Sequence, residues 1–251
     1  MAFNLLPKKT RLSFIFLLFI FPLVQGQDTD RSLWTSIEIK KKLNTRFNVS
    51  LEQEMRHDFT SHSLNRLMTT LDATYKVTDF VKGSASYGLI QKYDKGDANP
   101  WETRHRFSFT LSGDYEWNRF ECSIREKFQT TIRGGIESDA HTANPAHVLR
   151  TRFAVTYNIR KFPIDPFVRI ELHHALNEPD GDLTPGNVFK YTERRVNAGL
   201  EIKLNKQWSL KLAYVNGLSE EWDDFHIDNI RLGRYELSTR HAAVVGLSYT
   251  L

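Results

Sequence analysis

Apolar and polar residues alternate along most of this chain, in stretches that meet end to end at short turns. Between Trp34 and Met55 one face of the alternation is largely apolar and the other is charged, and a turn at Asn44-Thr45 divides the stretch in two. A period of two residues is that of a β-strand, because successive side chains leave opposite sides of the pleat. Two such runs joined by a short turn predict an antiparallel hairpin.

Four further hairpins and a final strand follow the same pattern. The predicted strands are Leu67–Val77 paired with Val81–Tyr93, Thr103–Tyr115 with Phe120–Ile132, Leu149–Ile159 with Phe167–Leu176, Arg194–Leu204 with Trp208–Asn216, and a last strand from Tyr235 to Leu251. Longer segments rich in Gly, Pro, Asp and His separate the hairpins and are predicted to be loops. These segments are His57–Asn65, Asp94–Trp101, Arg133–His147, Asn177–Lys190 and Gly217–Arg234.

Short turns that alternate with long loops are typical of outer-membrane barrels. The pattern therefore predicts an all-β fold, an antiparallel up-and-down transmembrane β-barrel of about 10–12 strands. Eleven strands are counted, whereas bacterial single-chain barrels usually have an even number. Either a twelfth strand lies in Trp222–Leu232, where the alternation is weak, or one hairpin is miscounted. If all the short turns lie on the periplasmic side, the first strand must start on the outer side of the membrane. The N-terminus would then need a further strand, or would have to pass through the lumen, to reach that side.

One face of each strand is rich in apolar and aromatic residues, and the other carries charge. Within Thr103–Tyr115, Phe107 and Phe109 share the first face, while Arg104 and Arg106 share the second. In a membrane barrel the apolar face meets lipid and the polar face lines the lumen. The charged residues predicted to face the lumen are Glu102, Arg104, Arg106, Asp114, Arg125, Lys127, Arg150, Arg152, Arg169, Glu171, Arg195 and Glu201, together with Glu121 and Glu193.

Two interpretations of this charged lumen remain open. A barrel of this size has a narrow interior, and charges buried there require partners, so one interpretation is an ion-pair network that fills the barrel. The other is a narrow pore with a mildly basic lining that favours anionic or small polar solutes.

A soluble, lipocalin-like periplasmic barrel would show the same alternation with its faces exchanged, and would bind a hydrophobic ligand inside. Long strands, aromatic residues near strand ends and unequal loops favour the membrane interpretation. Glu126 fits that interpretation badly, since it shares the outer parity of Ile124 and Phe128. A carboxylate that faces lipid destabilises a membrane barrel unless it lies near the rim or at a bulge.

The N-terminal segment predicts export from the cytoplasm. Lys8, Lys9 and Arg11 precede an apolar run, Leu12–Val24, that is short for a membrane-spanning helix. We therefore expect a signal peptide over residues 1–26, and a single outer-membrane β-barrel domain of a Gram-negative cell over residues 27–251.

The C-terminal strand alternates up to the last residue, Leu251. It is similar to the terminal signal that the barrel assembly machinery recognises, although that signal more often ends in Phe. The expected partners are therefore this machinery during biogenesis, and outer-membrane lipid and lipopolysaccharide afterwards.

The charge of the chain excludes one class of partner. There are 34 Lys and Arg against 30 Asp and Glu, and three of the basic residues but none of the acidic ones lie in the predicted signal. The mature chain is therefore almost neutral, whereas nucleic-acid binding needs a clustered basic surface. Cys122 is the only cysteine, so no disulfide forms within the chain.

We expect no enzymatic activity, no cofactor and no metal site. The candidate catalytic groupings, none of which has a spacing that forces contact, are His62-Ser63, His105 with Ser108, and His173-His174. Two acidic segments supply oxygen ligands but lack a full calcium-binding pattern. They contain Glu178, Asp180 and Asp182, and Asp223, Asp224, His226 and Asp228.

The chain resembles a bacterial family of outer-membrane barrels of unknown function, the DUF2490 family. The motifs that carry the resemblance are Leu33-Trp34-Thr35-Ser36, the Asn-centred turns, and Val49-Ser50-Leu51-Glu52-Gln53-Glu54-Met55-Arg56. The resemblance implies an outer-membrane barrel without an assigned activity, and it supplies no catalytic residues. Taken with the pattern, it predicts a porin-like or structural protein with a charged lumen and long extracellular loops.

Overall fold

Eleven strands form one closed barrel in the part of the chain that the structure describes. The structure is a computed structural model that describes residues 29–60, 62–93, 101–134, 143–179, 187–227 and 230–251. The strands are β1 Thr29–Lys42, β2 Phe47–Asp58, β3 Ser63–Lys76, β4 Val81–Tyr93, β5 Trp101–Trp117, β6 Phe120–Arg133, β7 Ala146–Tyr157, β8 Ile164–Pro179, β9 Asn187–Lys203, β10 Trp208–Ile227 and β11 Ile230–Thr250. Among these residues no helix is long and apolar enough to cross a membrane. The all-β barrel prediction is confirmed, and the predicted signal, residues 1–26, lies outside the described residues.

The first and last strands close the barrel by pairing in parallel. Every other pair is antiparallel, whereas β1 and β11 run in the same direction, with Trp34 beside Val244 and Glu38 beside Ser248. This follows from the number of strands, because an up-and-down path with an odd count brings its first and last strands to the seam in one direction. The seam removes the need for a further strand or for a threaded N-terminus.

The predicted loop Gly217–Arg234 and the proposed twelfth strand within it are wrong. Strands β10 and β11 pair with each other as far as Ile227 and Ile230. Strand β9 pairs with β10 only up to Glu193 beside Ser219, so the end of this hairpin extends beyond its neighbour. A two-stranded extension has no barrel wall on either side, and this is why the inside–outside alternation fades there.

The remaining hairpins lie where the pattern predicts them, and most of their strands are longer than predicted, whereas β4 has the predicted bounds. The predicted loop His57–Asn65 is shorter than expected, because β2 continues to Asp58 and β3 begins at Ser63. The register shifts between Arg56 and His57, which marks an irregularity at this end of β2. Much of the other predicted loops, residues 94–100, 135–142 and 180–186, lies outside the described residues.

Asparagine side chains stabilise two of the short turns. The Asn44 side-chain oxygen accepts hydrogen bonds from the backbone N–H groups of Arg46 (2.8 Å) and Phe47 (2.7 Å). Asn205 accepts equivalent bonds from Gln207 and Trp208, both at 2.8 Å. These asparagines act as side-chain acceptors. In the turn between β5 and β6, Asn118 adopts a left-handed backbone with φ 58°, which Asn tolerates better than most residues.

The barrel is apolar outside and polar inside. Phe107 and Phe109 on β5 expose 45% and 64% of their surface, whereas Ser108 between them is 3% exposed and faces inward. Trp34, Val215 and Ala242 form a small apolar cluster within this largely polar interior. Most large apolar side chains therefore point away from the barrel, which is the reverse of a water-soluble core.

Candidate functional site in the barrel interior

Four cations form a patch where β6 and β7 face the interior. Arg125 lies directly beside Arg152, and Lys127 lies directly beside Arg150. All four line an interior cavity of about 280 Å³. Like charges on directly opposite residues of paired strands destabilise a sheet unless other groups compensate them. We call Arg125, Lys127, Arg150 and Arg152 the basic patch.

Glu171 on β8 compensates half of the basic patch. One carboxylate oxygen accepts a hydrogen bond from the Arg125 guanidinium at 2.6 Å, and the other accepts two from Arg150. Charge-assisted hydrogen bonds of this kind are stronger than neutral ones. Because Glu171 is 8% exposed, its bonds are shielded from water.

The polar network continues from Glu171 along β8 and β9. His173 Nε2 lies 2.8 Å from Glu171 Oε1, and His173 Nδ1 lies 3.1 Å from Glu193 Oε2. Glu193 in turn accepts hydrogen bonds from Nε and a terminal nitrogen of Arg195, at 2.7 and 2.6 Å. The imidazole thus bridges two carboxylates that arginines also hold.

Trp34 separates two cavities inside the barrel. The Arg56 guanidinium carbon lies 3.8 Å from the centre of its ring, and that of Arg195 lies 5.8 Å away. Trp34 and Arg56 line both the 280 Å³ cavity and a second cavity of about 300 Å³, which Asp30 and Asp58 border near the ends of β1 and β2. Trp34 and Arg56 therefore lie at the boundary between the cavities.

The side of the cavity opposite the basic patch is acidic. Glu52 and Glu54 on β2 line the same cavity, and β2 lies across the closed strand order from β7. Glu54 binds Arg56 at 2.7 Å. The cavity thus lies between a basic wall and an acidic wall.

Apart from Glu121 and Glu193, which also lie outside its lining, eight of the twelve remaining residues predicted to face the lumen line this one cavity. They are Arg106, Arg125, Lys127, Arg150, Arg152, Arg169, Glu171 and Arg195. The other four lie outside its lining in ion pairs, with Glu102 bound to Arg104, Asp114 to Lys82 at 2.6 Å, and Glu201 to Arg169 at 2.5 Å.

Aromatic side chains form a belt on the outer surface at the end of the barrel with the short turns. Trp208 packs against Tyr249 with ring centres 4.7 Å apart, and Phe120 packs against Tyr157 at 5.0 Å. The members of this turn-end belt are Phe47, Tyr75, Tyr115, Trp117, Phe120, Tyr157, Trp208 and Tyr249.

Five outward-facing histidines form a second belt near the opposite end. They are His57, His105, His147, His174 and His241, and each lies beside an aromatic ring. Neighbouring strands of a closed barrel are staggered along the barrel axis. When the strand registers are corrected for this stagger, all five histidines lie at the same level along the axis to within about one residue. The apolar outer band lies between this histidine belt and the turn-end belt.

The comparisons with known proteins give a family and name no activity. The model of the family described as Protein of unknown function (DUF2490) matches residues 31–227, which is more than half of the chain. The chain belongs to the DUF2490 family. The matched segment of this DUF2490 protein runs from β1 into the end of β10 and leaves β11 outside it. No curated protein matches the chain.

Two of the three candidate catalytic groupings of this DUF2490 chain are divided between the two faces of a strand. His105 lies on the outer surface and Ser108 lies inside, so β5 holds them on opposite faces. His173 and His174 are similarly divided between the interior and the histidine belt. Among the described residues there is no group of His, Cys, Asp and Glu that could hold a metal ion. The two acidic segments of the sequence lie outside the residues whose side chains are described.

Sequence reasoning missed two features of the DUF2490 barrel. Trp34 was recognised only as part of a motif, although its position between outward-facing Leu33 and Thr35 places it inside. The histidine belt was also missed, because each histidine is alone on its strand. Only the registers between strands bring the five together.

Proposed function

We propose that this protein is an outer-membrane β-barrel whose basic interior admits small anionic or polar solutes. The observation that carries the proposal is the reversed polarity of the barrel. Its outer surface is an apolar band between two belts of ring-bearing side chains, as in barrels that cross the outer membrane. Charged groups require water or partners, and both are available only inside.

The lining of the interior cavity supports the choice of solute. Among the described residues, nine lining side chains are cationic and three are carboxylates. Rings of Arg and Lys favour anions in narrow pores. A soluble barrel that binds a hydrophobic ligand has less support, because such a ligand would have to desolvate these charges.

A substitution on the outer band tests the membrane location. Phe109 is 64% exposed, so Phe109→Arg would be almost neutral on a water-soluble protein. In a bilayer the same change should reduce the free energy of unfolding by about 2–4 kcal/mol, because the guanidinium faces lipid. The measurement is reversible denaturant unfolding of the full chain in lipid vesicles.

Trp117→Arg in the turn-end belt is the matched control, with an expected loss of about 0–1 kcal/mol. Fractionation of the expressing cells gives an independent result. Recovery of the folded chain in the soluble periplasmic fraction would overturn the outer-membrane proposal.

Single-channel conductance of the purified barrel in planar bilayers tests solute passage. Arg152→Ala removes a lining cation, and we expect anion selectivity to fall by about twofold or more. Lys82→Met, outside the cavity lining, should leave the selectivity unchanged.

A closed structural barrel is the second candidate. Trp34 and Arg56 lie between the two cavities, and Glu171 holds part of the basic patch in ion pairs. This candidate predicts that the wild-type barrel inserts into bilayers and conducts no current.

A further inference from the structure

Three cations on neighbouring strands face the cavity without forming an ion pair among the described residues. Glu171 forms ion pairs with Arg125 and Arg150 of the basic patch. Lys127 forms none, and neither does Arg152, although Arg152 lies opposite Glu171 in the register between β7 and β8. Arg106 on β5 donates to the Thr131 hydroxyl at 3.2 Å, and its other contact is the Met68 sulfur.

The Arg152 side chain also has an unmet donor. Its Nε–H is buried and has no hydrogen-bond partner. Leaving a buried charged donor unpaired is unfavourable, so such groups usually have a ligand or ordered water. A donor of this kind at the wall of a cavity marks a position where an acceptor would bind.

The acidic wall does not compensate these cations. Glu52 lines the same cavity, but β2 lies across the barrel from β6 and β7, and neither Lys127 nor Arg152 forms an ion pair with it. The space between the walls is the cavity of about 280 Å³. A small ion fits within this space and can approach the cations directly.

We propose that this cavity binds a single phosphate-type oxyanion, inorganic phosphate or the phosphate group of a small monoester, against Lys127, Arg152 and Arg106. Three cations from three adjacent strands suit an anion with more than one charge and with oxygens on several sides. Guanidinium groups offer paired donors that match phosphate oxygens, and the Lys ammonium supplies a compact charge. The inference deepens the proposed function and rests on an interior that solutes can enter.

Titration calorimetry of the full chain in detergent micelles, with inorganic phosphate at constant ionic strength, tests the site. We expect saturable binding to one site, and a loss of affinity of about tenfold or more in Lys127→Met and in Arg152→Met, because each change removes a charge-assisted hydrogen bond. Lys127→Arg keeps the charge and should retain binding to within about threefold.

The matched control is Lys82→Met, which changes a lysine that pairs with Asp114 outside the cavity lining. Its phosphate affinity should equal that of the wild type. If Lys127→Met does not fold, as judged by heat-modifiable migration, Arg152→Gln carries the test.

Absence of saturable phosphate binding by the folded wild type would overturn the inference. Equal affinity for acetate would also overturn it, since a singly charged carboxylate does not need three cations. A barrel that conducts anions without binding phosphate overturns only this site. A chain that binds phosphate but is recovered as a soluble protein overturns the proposed function instead.

Discussion

The Arg56 guanidinium lies over the face of the Trp34 ring inside the barrel, with 3.8 Å between the guanidinium carbon and the ring centre. A cation in this position is attracted by the ring, by about 0.5–2 kcal/mol depending on desolvation. The contact fixes a large side chain at the boundary between two cavities. Trp34 is therefore the residue that determines whether the cavities communicate.

Trp34→Ala should join the two cavities and raise the single-channel conductance. The removed indole leaves a polar, water-accessible space, so water and small ions can occupy it. The control is Trp208→Ala in the turn-end belt, which removes a tryptophan from the outer surface. An unchanged conductance in Trp34→Ala, with Arg56 still in place, would contradict the role of the ring as a boundary.

Glu171→Gln should destabilise the barrel strongly. The amide keeps the shape of the side chain but leaves Arg125 and Arg150 without a carboxylate, and removing one partner of buried ion pairs costs about 3–5 kcal/mol. Glu201→Gln is the control, because the Glu201 side chain is 42% exposed and its pair with Arg169 should contribute less than about 1 kcal/mol. Denaturant unfolding in vesicles measures both. Equal losses in the free energy of unfolding for the two variants would contradict a larger contribution from the Glu171 ion pairs.

Glu126→Leu should stabilise the barrel in a membrane. Glu126 lies near the middle of β6 on the outer surface, between Leu111 and Thr151, and accepts a hydrogen bond from the Thr151 hydroxyl at 3.0 Å. In a bilayer that bond would compensate only part of the cost of a carboxylate that faces lipid. We expect a gain of about 1–2 kcal/mol in the free energy of unfolding in vesicles. A double-mutant cycle with Thr151→Val gives the contribution of the hydrogen bond. A loss of stability in Glu126→Leu would indicate that Glu126 faces a polar partner.

Gly199→Ala should disrupt the contact between β9 and β10. A methyl group at Gly199 would meet the Leu212 carbonyl oxygen and lie 2.6 Å from the Ala213 Cβ. Backbone atoms cannot move aside cheaply, so we expect a loss of about 3 kcal/mol. Gly83→Ala is the matched control, since a methyl group there meets nothing within 4 Å and should stabilise the strand by about 0.5–1 kcal/mol. Similar unfolding midpoints for the two variants would contradict the close approach.

The alternation of residues was enough to predict the strands that form the barrel wall. Strand β5 is an example. Phe107, Phe109 and Leu111 lie on its outer face and polar residues lie on its inner face, so the residue type changes at every position along the strand. The Asn44 and Asn205 turns were predictable for a similar reason, since a short segment contains all the groups that stabilise them.

Features that depend on contacts between distant strands were not predictable from the chain. The length of β10 beyond Ser219 depends on β11 alone, where neither face is set against a wall. The basic patch could be recognised as a set of inward charges, but the direct opposition of Lys127 and Arg150 follows from the register between β6 and β7. The ion pairs of Glu171 with Arg125 and Arg150 likewise depend on where β8 lies relative to β6 and β7, which the sequence pattern does not give.

The parallel seam has a consequence for re-engineering the chain. Thr29 begins β1 at the end of the barrel where the long hairpins lie, and Thr250 finishes β11 at the end with the short turns. In a barrel with an even number of strands the two termini emerge side by side, so a few residues can join them into a circular permutant. Here a linker would have to span the full height of the barrel, along its apolar outer surface or through its polar interior. A short linker between β1 and β11 therefore cannot produce a circular permutant of this barrel. Splitting the chain at a turn and co-expressing the two pieces does not require such a linker.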